Sequence, residues 1–147
     1  GLGGGHAIGA LLVNEKANIF TPGDHASTFG GNPFACKAAL TVLEEINRRN
    51  LIHNVYLRGE QLRAGFEELS KKFPKIIRGK RGIGLIQGLV INEDYADAKK
   101  ITLEAFNKGL LVVPAGGNVV RIVPPLVISR NEINILLDKL NSVFKEL

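Results

Sequence analysis

Residues 110–123 have the sequence LLVVPAGGNVVRIV, in which two short apolar runs flank a connection rich in proline and glycine. Valine and isoleucine favour strands, and the Gly-Gly-Asn segment tolerates the left-handed backbone that tight hairpin turns require. The stretch therefore predicts a β-hairpin with strands at residues 110–113 and 119–123. Because hairpin neighbours are antiparallel, it favours a small antiparallel sheet over a doubly wound parallel one.

Helices are predicted on both sides of this hairpin in the sequence. The pair Asn32-Pro33 marks a helix start, and Asn50 can cap a second helix whose apolar stripe begins at Ile52 and which ends before Pro74. The other predicted elements are strands interrupted by glycines within residues 76–91, a helix over residues 95–108, and a last helix opened by the capping box of Ser129 and Glu132. The predicted fold is α+β, a small and mostly antiparallel sheet covered by helices.

The composition is that of a folded domain with one core. The chain has 147 residues, of which 45% are hydrophobic and 22% charged, and its formal charge is +5. No apolar run approaches the roughly 20 residues that span a bilayer, so no membrane span is predicted. The single cysteine, Cys36, lies beside an apolar stripe, is expected to be buried, and cannot form an internal disulfide. A reducing, cytoplasmic compartment is therefore the expectation.

Metal and nucleic-acid binding are both disfavoured by the sequence. The three histidines, His6, His25 and His53, are far apart and lack partners at metal-ligand spacing. Basic residues cluster between positions 71 and 81, a pattern that could follow nucleic-acid phosphates, but no aromatic platform accompanies them. A solvated edge of the domain is the favoured interpretation of this cluster.

Residues 24–33 (DHASTFGGNP) place two hydroxyls, Ser27 and Thr28, and two glycines immediately before a helix start. Helix N-termini bind anions through free N–H groups, hydroxyls add donors, and glycines let a ligand approach the backbone. The pattern indicates a site for an oxyanion or a phosphate. The alternative is that the hydroxyls only cap a turn, and the spacing leaves the two interpretations even.

Arg121 stands among apolar residues in the second strand of the predicted hairpin. An unpaired buried guanidinium is costly, so its side chain must reach solvent or a carboxylate. An arginine held on a rigid strand is suited to bidentate binding of a substrate carboxylate. An internal ion pair to an acidic residue of the chain is the equally common alternative.

Three blocks of the sequence together resemble the class III pyridoxal-phosphate aminotransferases. They are GLGGG at residues 1–5, HASTFGGNP at residues 25–33 and VRIVPPL at residues 120–126. The resemblance implies that residues 1–20 end the cofactor-binding large domain of a fold-type I enzyme, with an edge strand at residues 8–13. Residues 21–147 would then form its C-terminal small domain.

The family pattern also implies roles for individual residues. Thr28 would donate to the phosphate of pyridoxal 5'-phosphate bound by the neighbouring subunit of a homodimer, with Ser27 near the substrate. Arg121 would hold a substrate carboxylate. The lysine that forms the Schiff base is expected just before Gly1, so residues 1–147 contain no catalytic residue and are not expected to transaminate alone.

The implied activity is ping-pong transamination between small amino and oxo acids, with 2-oxoglutarate as the acceptor. Residues 27–33 and 111–116 are most similar to the branch that uses N-acetylornithine in arginine biosynthesis, but ornithine, succinyldiaminopimelate and 4-aminobutyrate stay open as donors. His6 and Ala7 depart from the pattern, which has a bulky apolar residue and a proline there. A non-catalytic interaction module is the alternative from a different functional class.

Overall fold

The computed structural model describes every residue from Gly1 to Leu147, and the chain divides into two units. The first unit is Gly1–Asn50 and contains one helix, whereas the second, Leu51–Leu147, contains the sheet and the other helices. The predicted boundary between residues 20 and 21 concerns the domains of a whole enzyme and stays a prediction.

The helix of the first unit, α1 (Pro33–Arg48), begins as the sequence predicts. The Asn32 side chain accepts a hydrogen bond from the Ala35 N–H at 3.0 Å, and Pro33 occupies the first helical position. The other end of α1 corrects a prediction. Asn50 has a φ of 49° and donates its N–H to the carbonyl of Asn47, so it ends α1 and does not cap the next helix.

Residues 8–13 do not form the buried strand that their apolar character predicts. No strand is assigned there, and the side chains of Leu11 and Leu12 are 72% and 90% exposed. The physical reason is that a strand needs a neighbour for its backbone N–H and C=O groups, and the first unit contains no strand with which this run could pair. Cys36 is likewise exposed and not buried, because the buried face of α1 is formed by Ala35 and Ala39.

The second unit contains a four-stranded sheet in which every neighbouring pair is antiparallel. The strand order is β1-β2-β4-β3, and the first and last pairs are hairpins. The elements in chain order are α2 (Leu51–Lys72), β1 (Ile77–Ile83), β2 (Ile86–Ile91), α3 (Ala98–Asn107), β3 (Val113–Ala115), β4 (Val119–Ile122) and α4 (Arg130–Lys145). The predicted hairpin and the capping box of α4 are both confirmed, but the first strand of the hairpin is Val113–Ala115 and not residues 110–113, because Pro114 and Ala115 pair with β4 and belong to the strand.

The three helices of this unit cover one face of the sheet, because their buried residues and those of alternate strand positions belong to a single core. On α2 the buried hydrophobic residues are Leu51, Leu62, Phe66 and Leu69, of which the last three belong to this core. Ile52, predicted to begin this stripe, is 66% exposed. The core of the second unit is completed by residues such as Leu89, Ile91, Ile101, Val120, Ile122, Ile133, Leu140 and Phe144.

A close contact between α2 and the β1–β2 turn fixes how the sheet meets this helix. A Cβ on Gly59 would lie 2.6 Å from the carbonyl oxygen of Gly84, so only glycine permits the observed approach. The buried amide of Gln87 donates to the carbonyls of both Gly59 and Gly84, at 2.8 and 2.7 Å.

None of the helices in the chain is both long enough and apolar enough to cross a membrane.

Candidate functional site

The turn before α1 carries the two predicted anion-binding hydroxyls. Ser27 accepts a hydrogen bond at its carbonyl from the N–H of Gly30 at 3.3 Å, and Gly31 follows with a φ of 67°. A Cβ on Gly30 would lie 2.9 Å from the Cβ of Ser27, so this position also favours glycine. The turn is held from the helix side, because the Asn32 amide donates to the carbonyl of Phe29 at 2.9 Å.

The N–H groups at the start of α1 are mostly engaged within the chain. The Ala35 N–H donates to the Asn32 side chain, the Cys36 N–H donates to the Asn32 carbonyl, and Pro33 has no N–H. The helix terminus therefore offers an anion less than the sequence suggests. The donors without a partner in the chain include the Phe34 N–H and the hydroxyls of Ser27 and Thr28, whose side chains are exposed.

The acidic residue nearest in sequence to these hydroxyls is also engaged. The Asp24 carboxylate accepts hydrogen bonds from the backbone N–H and the hydroxyl of Thr21, at 2.7 and 3.0 Å. The bond from the Thr21 backbone, reinforced by that from its hydroxyl, holds the pKa of Asp24 below its ordinary value. The Asp24 carboxylate is therefore engaged within its own turn.

Ser27 borders two clefts of the first unit. The larger, of about 690 Å³, is also lined by Leu11, Phe20 and His25. The smaller, of about 270 Å³, is also lined by Phe29. A hydroxyl at the edge of mostly apolar walls can orient a small polar ligand.

His6, a departure from the family pattern, packs edge-on against the ring of Phe34 with centroids 4.9 Å apart.

Arg121 lies in β4 of the second unit, on the face of the sheet opposite the helices. Its neighbours Val120 and Ile122 belong to the core, and the strand alternates, so the guanidinium projects from the open face. The side chain is exposed and takes part in none of the five ion pairs of the chain. Within residues 1–147 Arg121 therefore has no ion-pair partner, and its guanidinium is available to a carboxylate from outside these residues.

Two residues beside Arg121 are not predicted as site residues by the sequence. Gly88 in β2 pairs directly with Arg121, and Arg81 in β1 pairs with Gly88, so the three form one row across the open face. A Cβ on Gly88 would lie 2.6 Å from a methyl group of Val119. The signal that could have found this row is the strand register, which the sequence does not contain.

The structure also shows how the possible metal ligands and the basic cluster are arranged. No group of three His, Cys, Asp or Glu side chains is arranged to hold a metal ion. Within the basic cluster of residues 71–81, Lys71 pairs with Glu68 and Lys80 with Glu67, so part of its charge is compensated. Ser27 and Thr28 belong to the first unit and Arg121 to the second.

Comparison with known proteins gives these residues a family context. The family model for class-III aminotransferases matches residues 1–144. The chain belongs to the class-III aminotransferase family. It is 76% identical over its whole length to an acetylornithine aminotransferase of Prochlorococcus marinus subsp. pastoris and 56% identical to one of Parasynechococcus marenigrum. The chain spans about 35% of the length of these curated relatives.

Solved structures of class-III members share the fold described above. An acetylornithine aminotransferase from Elizabethkingia anophelis superposes on 87% of the chain with a TM-score of 0.80 and 33% identity, and the match covers 32% of that protein. An ornithine aminotransferase from Toxoplasma gondii matches 86% of the chain, and 30% of its own length, with a TM-score of 0.79 and 33% identity. These similarities confirm the predicted fold class, an α+β portion of the fold-type I aminotransferases.

Proposed function

We propose that the chain is the C-terminal part of a pyridoxal-phosphate aminotransferase that transfers the side-chain amino group of N-acetylornithine to 2-oxoglutarate. The observation that carries this proposal is the 76% identity, over all 147 residues, to an acetylornithine aminotransferase. The proposal includes a ping-pong mechanism, a role in arginine biosynthesis and a cytoplasmic location, the last supported by a single free cysteine.

The residues of the first unit fit one part of the implied cofactor, its phosphate. Thr28 would donate its hydroxyl to a phosphate oxygen, which is supported by an exposed side chain without a partner in the chain. Ser27 would lie near the substrate, at the border of the two clefts. Pyridoxal phosphate, when bound, supplies an aldehyde that takes up the amino group and a ring that accepts electrons. This chain would supply the groups that position the cofactor and the substrate.

Arg121 would bind the carboxylate of the amino or oxo acid. A guanidinium on a strand offers a rigid fork of donors, and the exposed, unpaired side chain of Arg121 meets that requirement. The proposal also includes a homodimer in which the turn at residues 27–31 completes the site of the neighbouring subunit. The exposure of this turn in the single chain supports that part of the proposal.

Two sets of variants of the full-length enzyme test these roles. Thr28→Ala should weaken the binding of pyridoxal phosphate to the apoenzyme about tenfold or more, because a hydrogen bond to a charged group is lost. Thr28→Ser, which keeps the hydroxyl, should retain most of the affinity, and Thr41→Ala, an exposed threonine of α1, should retain all of it. The measurement is a titration followed by cofactor absorbance.

Arg121→Gln should raise the KM for 2-oxoglutarate about 10- to 100-fold. The control is Arg130→Gln, which removes an exposed arginine that forms no ion pair. Assays with N-acetylornithine, ornithine and 4-aminobutyrate decide the donor. Wild-type cofactor affinity in Thr28→Ala together with wild-type KM in Arg121→Gln would contradict both assignments, and activity with none of the donors would contradict the proposed reaction.

A further inference from the structure

The β3–β4 hairpin that carries Arg121 lies at one edge of the sheet and has only a short outer strand. β3 has three residues, and its turn contains Gly117 and Asn118, both with a left-handed backbone, at φ values of 74° and 52°. On the helix side the turn is held by Asn118, whose amide donates to the carbonyls of Ile91 and Ala96. Its side-chain oxygen accepts the N–H of Ala98 at 2.7 Å.

On the open face the hairpin is held by a residue from the opposite edge of the sheet. The guanidinium of Arg81, in β1, donates to the carbonyl of Gly116 at 2.8 Å. This is the only side-chain hydrogen bond between β1 and the hairpin, and β1 has no strand pairing with β3 or β4. Arg81 therefore links the two edges of the sheet across β2.

The alternation of the strands places Arg81 and Arg121 on the same face. Arg81 is opposite Gly88, Gly88 is opposite Arg121, and directly opposed residues share a face. Lys80, the neighbour of Arg81, pairs instead with Glu67 of α2 on the helix side. Gly88 has no side chain, so no side chain of β2 separates the two arginines in this row.

Arg81 has no carboxylate partner, so its hydrogen bond to Gly116 is not a by-product of a surface ion pair. It forms none of the five salt bridges, and its one recorded hydrogen bond is to the hairpin carbonyl. A charged donor binding a backbone carbonyl is stronger than a neutral one. The bond therefore restrains the turn five residues before Arg121.

We propose that Arg81 is a positioning residue for Arg121: by binding Gly116 it fixes the β3–β4 hairpin and, through it, the guanidinium that receives the substrate carboxylate. This inference rests on the carboxylate-binding role proposed above for Arg121. The function of Arg81 is to hold geometry, and it makes no contact with the substrate.

Steady-state kinetics of the full-length enzyme test the role of Arg81. Arg81→Gln, which is too short to reach Gly116, should raise the KM for 2-oxoglutarate about 2- to 10-fold with kcat nearly unchanged. Arg81→Lys keeps a donor on a long stem and should give a smaller rise. Arg78→Gln is the matched control, because it removes an exposed arginine of β1 that makes no hydrogen bond or ion pair, and it should leave KM unchanged.

A double variant separates positioning from a direct effect. If Arg81 acts through Arg121, then Arg81→Gln should add no further rise in KM to an enzyme that already carries Arg121→Gln. An equal further rise in that background would overturn the inference. Equal effects of Arg78→Gln and Arg81→Gln, both lost at high salt, would also overturn it, because they would indicate a general field of positive charge.

Each of the remaining outcomes distinguishes the role of Arg81 from the proposed role of Arg121. A normal KM in Arg81→Gln, with the large effect of Arg121→Gln intact, overturns only the role of Arg81 and leaves the proposed function. A normal KM in Arg121→Gln removes the proposed carboxylate role and this inference with it. Should Arg81→Gln fail to fold, Arg81→Met, which keeps much of the apolar stem but has no donor for Gly116, decides alone: a raised KM at unchanged kcat supports positioning, and an unchanged KM overturns it.

Discussion

The contact between α2 and the β1–β2 turn predicts that Gly59→Ala destabilises the chain, although alanine is the better helix former. A Cβ at residue 59 would lie 2.6 Å from the Gly84 oxygen and 2.8 Å from its carbonyl carbon. Both are backbone atoms, so the turn itself must move, by about 0.8 Å to reach an ordinary contact. That movement stretches the hydrogen bonds that Gln87 donates to both carbonyls.

The opposing free energies decide the sign of this effect. Replacing glycine by alanine inside a helix stabilises by about 1 kcal/mol. Overpacking costs about 1–3 kcal/mol, and weakening the buried bonds of Gln87 adds about 1 kcal/mol. We expect a net loss of about 2 kcal/mol from the free energy of unfolding.

Gly65→Ala on the same helix is the matched control. There the added Cβ would meet Cδ1, Cδ2 and Cγ of Leu137, so this half-buried side chain must change rotamer. A rotamer adjustment costs about 0.5–1.5 kcal/mol, which roughly cancels the gain in helix propensity. The stability of Gly65→Ala should therefore lie within about 1 kcal/mol of the wild type.

Urea unfolding of the chain, followed by circular dichroism, measures both variants. With a slope of about 2 kcal/mol per molar, the loss expected for Gly59→Ala lowers the midpoint by about 1 M. Gly65→Ala should shift it by less than half as much. A Gly59→Ala chain as stable as the wild type would refute the reasoning, because it would mean that the turn yields without cost.

Two further predictions concern local hydrogen bonds. Ser129→Ala removes the capping-box bond to the Glu132 N–H and should lower the free energy of unfolding by about 1 kcal/mol, measured by urea denaturation. The folded-state pKa of Asp24 is lowered by Thr21, so the turn gains stability above the unfolded pKa and loses it as the pH falls through the folded pKa. An NMR titration of the Asp24 carboxyl should therefore give a midpoint below that of an unfolded peptide, and Thr21→Ala should move it upward.

Features set by neighbouring residues could be predicted from the sequence. The cap at Asn32, the capping box of Ser129 and Glu132, and the hairpin at residues 110–123 all depend on side chains within a few positions of one another. The antiparallel sheet follows from the hairpin, because its turn is too short for a crossover. The exposure of Arg121 also follows from strand alternation.

The first buried residue of α2 could not be predicted, because a glycine interrupts the apolar pattern near the start of the helix. The buried positions Leu51, Gly59, Leu62 and Phe66 follow helical steps of three, four and eight residues. Gly59 contributes no hydrophobic side chain to the pattern, so the sequence favours Ile52 over Leu51 as the first buried residue. The glycine is buried because the β1–β2 turn lies against it, a contact between residues 25 positions apart.

The surroundings of Arg121 illustrate why one site residue could be found in the sequence and its neighbours could not. Val119 is 2% exposed although it lies on the open face, because it fills the space that Gly88 leaves on the next strand. The pairing of Gly88 with Arg121 joins residues more than 30 positions apart, and the pairing of Gly88 with Arg81 brings Arg81 into the same row. A side chain at residue 88 would displace Val119 and with it the strand that carries the guanidinium. Arg121 is therefore positioned by three paired strands, β1, β2 and β4. Its placement requires glycine at residue 88, because a larger residue there would displace Val119.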